Sequence, residues 1–129
     1  MIPPGELLFN IMNMNIILAD QQVRVRFALR VLLEQQQDWR VIGEASNTDE
    51  LIIQVQRKTP DLIVMDGKLP GTDAINCISV IRQVCPKARI VTLSIESPAT
   101  SPNLGNSADA YTSKANSPDH LLSIIRKFS

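Results

Sequence analysis

Apolar residues along this chain fall in short blocks with two alternating rhythms. Leu62 to Met65 is a wholly apolar run, the pattern of a strand buried on both faces of a parallel sheet, and Met14 to Ala19 and Ala88 to Leu93 are further mainly apolar stretches that read as strands. Arg40 to Ala45, with Val41 and Ile42, and Ala108 to Thr112 read as two further strands. Between the strands, apolar positions recur at helical spacing. Gln21 to Gln36 puts Val25, Leu29, Leu32 and Leu33 on one stripe, and a second helix ending near Lys58 buries Leu51, Ile52 and Val55. A third, from about Asp73 to Val84, turns Ile75, Ile78 and Ile81 inward, and a last carries Leu121, Leu122, Ile124 and Ile125. The punctuation agrees with these elements. Asn47 or Thr48 caps the second helix, with Asp49 and Glu50 in its first turn. Leu69-Pro70-Gly71-Thr72 is a turn, Pro86 stops the third helix, and Ser117 caps the last with Pro118 in its first turn.

The resulting order is β-α-β-α-β-α-β-x-β-α, an α/β fold with a parallel sheet and helices on both faces. Segment x, Glu96 to Ser107, contains Pro98, Pro102 and Gly105 and no apolar helical stripe. It is expected to be a loop, or at most one helical turn, where the pattern calls for a full helix.

Composition narrows the function classes. At 129 residues the chain holds one ordinary domain, and 44% apolar content supports a real core. Thirteen basic and thirteen acidic residues cancel, so no basic excess drives direct nucleic-acid binding. Met1 to Asn13 holds Pro3-Pro4-Gly5 and Leu7-Leu8-Phe9, interrupted by Glu6 and Asn10, without a basic start or a cleavage site. It reads as an N-terminal extension, residues 1–13, before a domain over 14–129, with Met12 and Met14 as alternative starts. It is expected to be neither a signal peptide nor a membrane span. Cys77 and Cys85 share one helix, roughly 12 Å apart along its axis, too far to bridge. They are expected to be reduced thiols of a cytoplasmic protein rather than a metal site. Trp39 is expected to pack at a strand edge, and His120 to be solvated on a helix surface.

The strand ends carry the chemistry. Asp20, Asp66, Ser94 and Lys114 each stand at or just after the carboxyl end of an expected strand, where open α/β sheets gather their ligands. A carboxylate can take a phosphoryl group as a nucleophile, forming an acyl phosphate. That transfer needs the phosphoryl charge neutralised by Mg²⁺ and a cationic side chain. One or two carboxylates suffice for Mg²⁺, a lysine supplies a compact positive charge, and a serine hydroxyl adds a hydrogen bond.

These pieces together resemble the receiver domain of two-component response regulators, and most of all the receivers that precede helix-turn-helix output domains. The resemblance rests on Leu18-Ala19-Asp20, Val25-Arg26, Leu29-Arg30, Pro60-Asp61-Leu62-Ile63-Val64-Met65-Asp66, Pro70-Gly71, Val91-Thr92-Leu93-Ser94 and Ala108-Asp109-Ala110-Tyr111-Thr112-Ser113-Lys114. It runs from about residue 14 to the end. The resemblance implies a doubly wound five-stranded parallel sheet of flavodoxin-like order 2-1-3-4-5, with the fourth helix degenerate or missing. It implies that Asp66 is the phosphoacceptor, that Asp20 holds Mg²⁺ through water, and that Lys68 lends its backbone carbonyl to the metal. Ser94 would follow the phosphoryl group, Lys114 would pair with its oxygens, and Tyr111 would be the aromatic switch residue. The implied partners are a histidine kinase or phosphotransfer protein, then a downstream protein or an output domain, with a homodimer as a further possibility.

The chain departs from the family at three places. Gln21 stands where a second acid usually ligates the metal directly, and a neutral amide lowers metal affinity. Ala115 follows Lys114 in place of the usual proline, and a cis bond there would cost about 3 kcal/mol or more. Segment x is short and proline-rich. These departures sustain an alternative, a pseudo-receiver that keeps the fold as a protein-interaction scaffold without being phosphorylated. An aspartyl-nucleophile phosphatase is disfavoured because Lys68 stands where such enzymes carry a second carboxylate. A nucleotide-binding domain is disfavoured because no glycine-rich loop follows the first strand.

Overall fold

The structure, a computed structural model, describes residues 13–94 and 107–128. Residues 1–12 of the expected leader and 96–106 of segment x, and with them the expected degenerate or missing fourth helix, lie outside the described residues. In chain order the elements are β1 (Met14–Ala19), α1 (Val23–Glu34), β2 (Trp39–Ala45), α2 (Thr48–Lys58), β3 (Leu62–Asp66), α3 (Ala74–Val84), β4 (Arg89–Ser94), β5 (Ala110–Ser113) and α4 (Pro118–Arg126). The strands form one five-stranded sheet in the order β2-β1-β3-β4-β5, every pair parallel. The parallel sheet with helices on both faces expected from the apolar rhythm, and the doubly wound order 2-1-3-4-5 that the resemblance implies, are therefore the observed ones.

Strand alternation divides the core into two layers. Ile17, Ala19, Ile63, Met65 and Ile90 face Leu51 and Val55 of α2 and Ile78 and Ile81 of α3. Ile16, Leu18, Leu62, Val64, Val91 and Leu93 face Leu33 of α1 and Leu121, Leu122 and Ile125 of α4. Leu62 to Met65 are all fully buried, which is why that run shows no polar alternation. Each such side chain contributes about 1.5–3 kcal/mol by leaving water. Trp39 opens the edge strand β2 opposite Met14 and packs into the second layer, at the amino ends of the strands.

Three local readings need correction. Ile75 is 40% exposed rather than inward, and Cys77 takes the core position beside Ile78 and Ile81. Asp73 is the N-cap of α3, and the phase it sets leaves Ile75 on the flank of the stripe. Ser117 occupies the cap position of α4 but makes no side-chain capping bond; the His120 N–H, which such a cap would serve, is bonded to the Ser117 carbonyl at 3.0 Å. The last strand starts at Ala110 rather than Ala108. Asp109 explains the shift, because its carboxylate, not its backbone, takes the Ile90 N–H at 2.8 Å and holds Arg82 at 2.9 Å.

Candidate functional site at the carboxyl ends of the strands

The pairing of Ala19 with Met65 makes Asp20 and Asp66 neighbours where β1 and β3 run out. Asp20 is 2% exposed. Its Oδ1 accepts the Gln22 N–H at 2.9 Å, a short-range bond typical of aspartate at a turn. Arg26 of α1 donates to the Asp20 backbone carbonyl at 2.6 Å and to Glu44 at 3.0 Å. On β3, Asp66 Oδ1 accepts the Lys68 N–H at 3.0 Å, and the Gly67 N–H continues the ladder to the Leu93 carbonyl at 2.8 Å.

Lys114 arrives from the far side. It follows β5 directly, and its N–H donates to the Ser94 carbonyl at 2.9 Å. Its ammonium lies 3.0 Å from Asp20 Oδ2 and 3.2 Å from Asp66 Oδ2. Burial works against this charge. The hydrogen bond that Lys114 donates to Asp20, and the charges of the Asp66 and Asp20 carboxylates, outweigh it and hold the lysine above its ordinary pKa. The ends of β1, β3 and β5 thus meet in one pocket that contains two anions and one cation.

The other expected residues take different positions. Ser94 ends β4, 3% exposed, and adjoins Lys114 through the backbone bond. Tyr111 pairs with Thr92 across β4 and β5 and packs against the α2–α3 layer. Its hydroxyl and Thr92 Oγ1 are buried without a hydrogen-bond partner. Gln21 is exposed beside Asp20. Lys68 meets the site through its backbone N–H. Two residues have roles that the sequence reading did not give them: Arg26, read only as part of the resemblance, whose pairing with Glu44 spans 18 positions, and Thr48, read only as a cap candidate, which ties α2 to the loop after Asp66. Only a distant partner marks either of them, and no local spacing does.

The donor set fits a hard cation, though thinly. Both carboxylates already converge on one positive charge, so the pocket is built to hold a cation. Among the described residues no cluster of three or more His, Cys, Asp or Glu that could hold a metal exists, which leaves the two carboxylates as the oxygen donors seen to converge there. Mg²⁺ takes such ligands while keeping several waters.

Such a domain, with a parallel doubly wound sheet and acids clamped to a lysine on its carboxyl rim, defines a class. The response regulator receiver domain model matches residues 16–126, and the chain belongs to that family. It is similar to the nitrate/nitrite response regulator NarL of Escherichia coli K12, at 30% identity over 116 residues, covering 87% of this chain and 53% of the relative. It is also similar to the transcriptional regulatory protein LiaR of Bacillus subtilis, at 31% identity, covering 88% of this chain and 55% of LiaR. The chain spans about half the length of the curated relatives it matches. Among solved structures, a LuxR-family two-component response regulator from Aurantimonas sp. SI85-9A1 superposes with a TM-score of 0.82 at 30% identity, over 89% of this chain and 84% of that one. The isolated REC domain of RcsB from Salmonella enterica serovar Typhimurium, with the phosphomimetic BeF₃⁻, superposes at 0.79 and 27% identity, over 89% of each chain. No helix among the described residues is long and apolar enough to cross a membrane.

Proposed function

We propose that this receiver accepts a phosphoryl group on Asp66 from a histidine kinase or phosphotransfer protein and passes the signal on by a change of conformation. The observation that carries the reading is the Lys114 ammonium seated on both Asp20 and Asp66. In the transfer, an Asp66 carboxylate oxygen attacks phosphorus and an O–P bond forms. The bond from phosphorus to the donor's imidazole nitrogen breaks, and its electron pair leaves with the imidazole. Lys114 then turns from the carboxylates to the new phosphoryl oxygens, Ser94 follows it with its hydroxyl, and Tyr111, whose buried hydroxyl has no partner, is the aromatic that moves. Asp20, Asp66, the Lys68 carbonyl and Gln21 would hold Mg²⁺, which when bound offsets the phosphoryl charge. The domain signals rather than turning over a substrate, in the cytoplasm, to a downstream protein, an output domain or a second copy. RcsB, whose structures include a complex with promoter DNA, gives the pattern of a receiver joined to such an output, and DNA contact would belong to that part.

The test is incubation with Mg²⁺ and acetyl phosphate, read by intact mass, with Asp66→Asn as control. A labile adduct on the wild type alone supports the reading. Its absence at high donor concentration favours the alternative, a protein-interaction scaffold, which the neutral Gln21 already supports.

A further inference from the structure

The loop over residues 67–72 leads away from Asp66, and one residue of another helix grips it. Thr48 is the first residue of α2 and fully buried. Asn47 caps that helix by accepting the Glu50 N–H, so Thr48 has no capping work of its own. Its N–H is one of the donors a helix start leaves without an intrahelical partner, and it donates to the Pro70 carbonyl at 2.9 Å. Its Oγ1 accepts the Thr72 N–H at 2.8 Å. The two bonds straddle Gly71, which has φ of +114°, and a Cβ at that glycine would collide with Thr48 Oγ1. The near end of the same loop is held to the acid, through Lys68 N–H on Asp66 Oδ1 at 3.0 Å and Leu69 N–H on the Asp66 carbonyl at 3.2 Å.

We propose that Thr48 is a positioning residue for the phosphoacceptor: by clamping both sides of Gly71 it fixes the loop whose Lys68 N–H orients the Asp66 carboxylate. The role rests on the reading of Asp66 as acceptor, while the clamp itself stands apart from that reading. Thr48→Val keeps the shape, the β-branch and the bond to Pro70 but removes the acceptor for Thr72; Thr48→Ser keeps the hydroxyl.

The experiment is residue-resolved amide hydrogen exchange on the full chain, with the core amide of Ile63 as internal reference, alongside the rate of adduct formation with acetyl phosphate and Mg²⁺. Thr72 and Lys68 should exchange roughly fivefold faster than in wild type in the valine variant, the loss of one hydrogen bond worth about 1 kcal/mol. They should return to wild-type rates in the serine variant. Adduct formation should slow several-fold in the valine variant and recover in the serine one. Unchanged Lys68 exchange relative to Ile63 overturns the clamp. Faster exchange with an unchanged adduct rate overturns the positioning role. A wild type that takes no phosphoryl group defeats the acceptor reading and the positioning role built on it, while the exchange data still decide the clamp.

Discussion

Lys114→Met removes the ammonium that Asp20 and Asp66 share while keeping an unbranched side chain of similar length. The ammonium lies 3.0 Å from one carboxylate oxygen and 3.2 Å from the other. At an effective dielectric near 20, each contact is worth about 5 kcal/mol of Coulomb attraction before desolvation. Two oxygens that share one ammonium lie within about 6 Å of each other, and two like charges at that spacing repel by roughly 3 kcal/mol in the same medium. Desolvation of the lysine offsets much of the attraction, and its side chain, 26% exposed, is partly screened by water. Stripping the cation from a pair whose Asp20 side chain is 3% exposed should cost about 2–3 kcal/mol, between the values for surface and buried pairs. Urea unfolding at pH 7, followed by circular dichroism, should then show a midpoint lower by about 1 M or more at unchanged slope. The pH dependence has a definite sign. The folded-state pKa of Lys114 is raised, so its contribution is complete below the unfolded value of about 10.4 and fades as pH rises through the folded one. The stability gap between wild type and variant should hold from pH 7 to 9 and close at strongly alkaline pH. A variant as stable as wild type at pH 7, or a gap that widens above pH 10, would refute this account of the pocket.

Three further outcomes are expected. Gln21→Asp should tighten Mg²⁺ binding about tenfold, because one more carboxylate beside a divalent ion on a largely aqueous rim adds ~1.4 kcal/mol; calorimetric titration showing equal affinities would contradict the assignment of Gln21 to the cation site. Gly71→Ala should lose roughly 2–3 kcal/mol in urea unfolding, since it combines a left-handed backbone with a collision against Thr48. Burial, then the nearby Asp49 and Asp73, pushes the Cys77 thiol up to about 11; the native chain at pH 8 should therefore alkylate at the half-buried Cys85 first, as peptide mapping would reveal, and preferential labelling of Cys77 would show that α3 opens readily.

The architecture was legible because two buried layers demand two distinct rhythms. The apolar run before Asp66 has to be a central strand when both of its faces are covered. Asp20, Asp66 and Lys114 could be grouped because parallel pairing gathers the strand ends on one rim. What escaped depended on partners far along the chain. Nothing near Asp109 shows that its carboxylate replaces a rung of the ladder to Ile90, and nothing near Thr48 shows that it grips Pro70 and Thr72. Helix phase was the other gap. Ile75 fits an inward spacing with Ile78, yet the stripe is centred on Cys77, Ile78 and Ile81. Val23, Phe27 and Val31 are apolar but 67%, 66% and 44% exposed, because α1 spends its buried face on Leu29, Leu32 and Leu33.

The bond from Lys114 to Asp20 closes a loop of 94 positions in a chain of 129, so most of the domain must be wound before the lysine reaches its place. A nascent chain halted before β5, or one whose final strand has come undone, carries the acid without its counter-ion. On the proposed reading of Asp66, competence to take up a phosphoryl group would then double as a quality check, with immature molecules kept silent by topology alone.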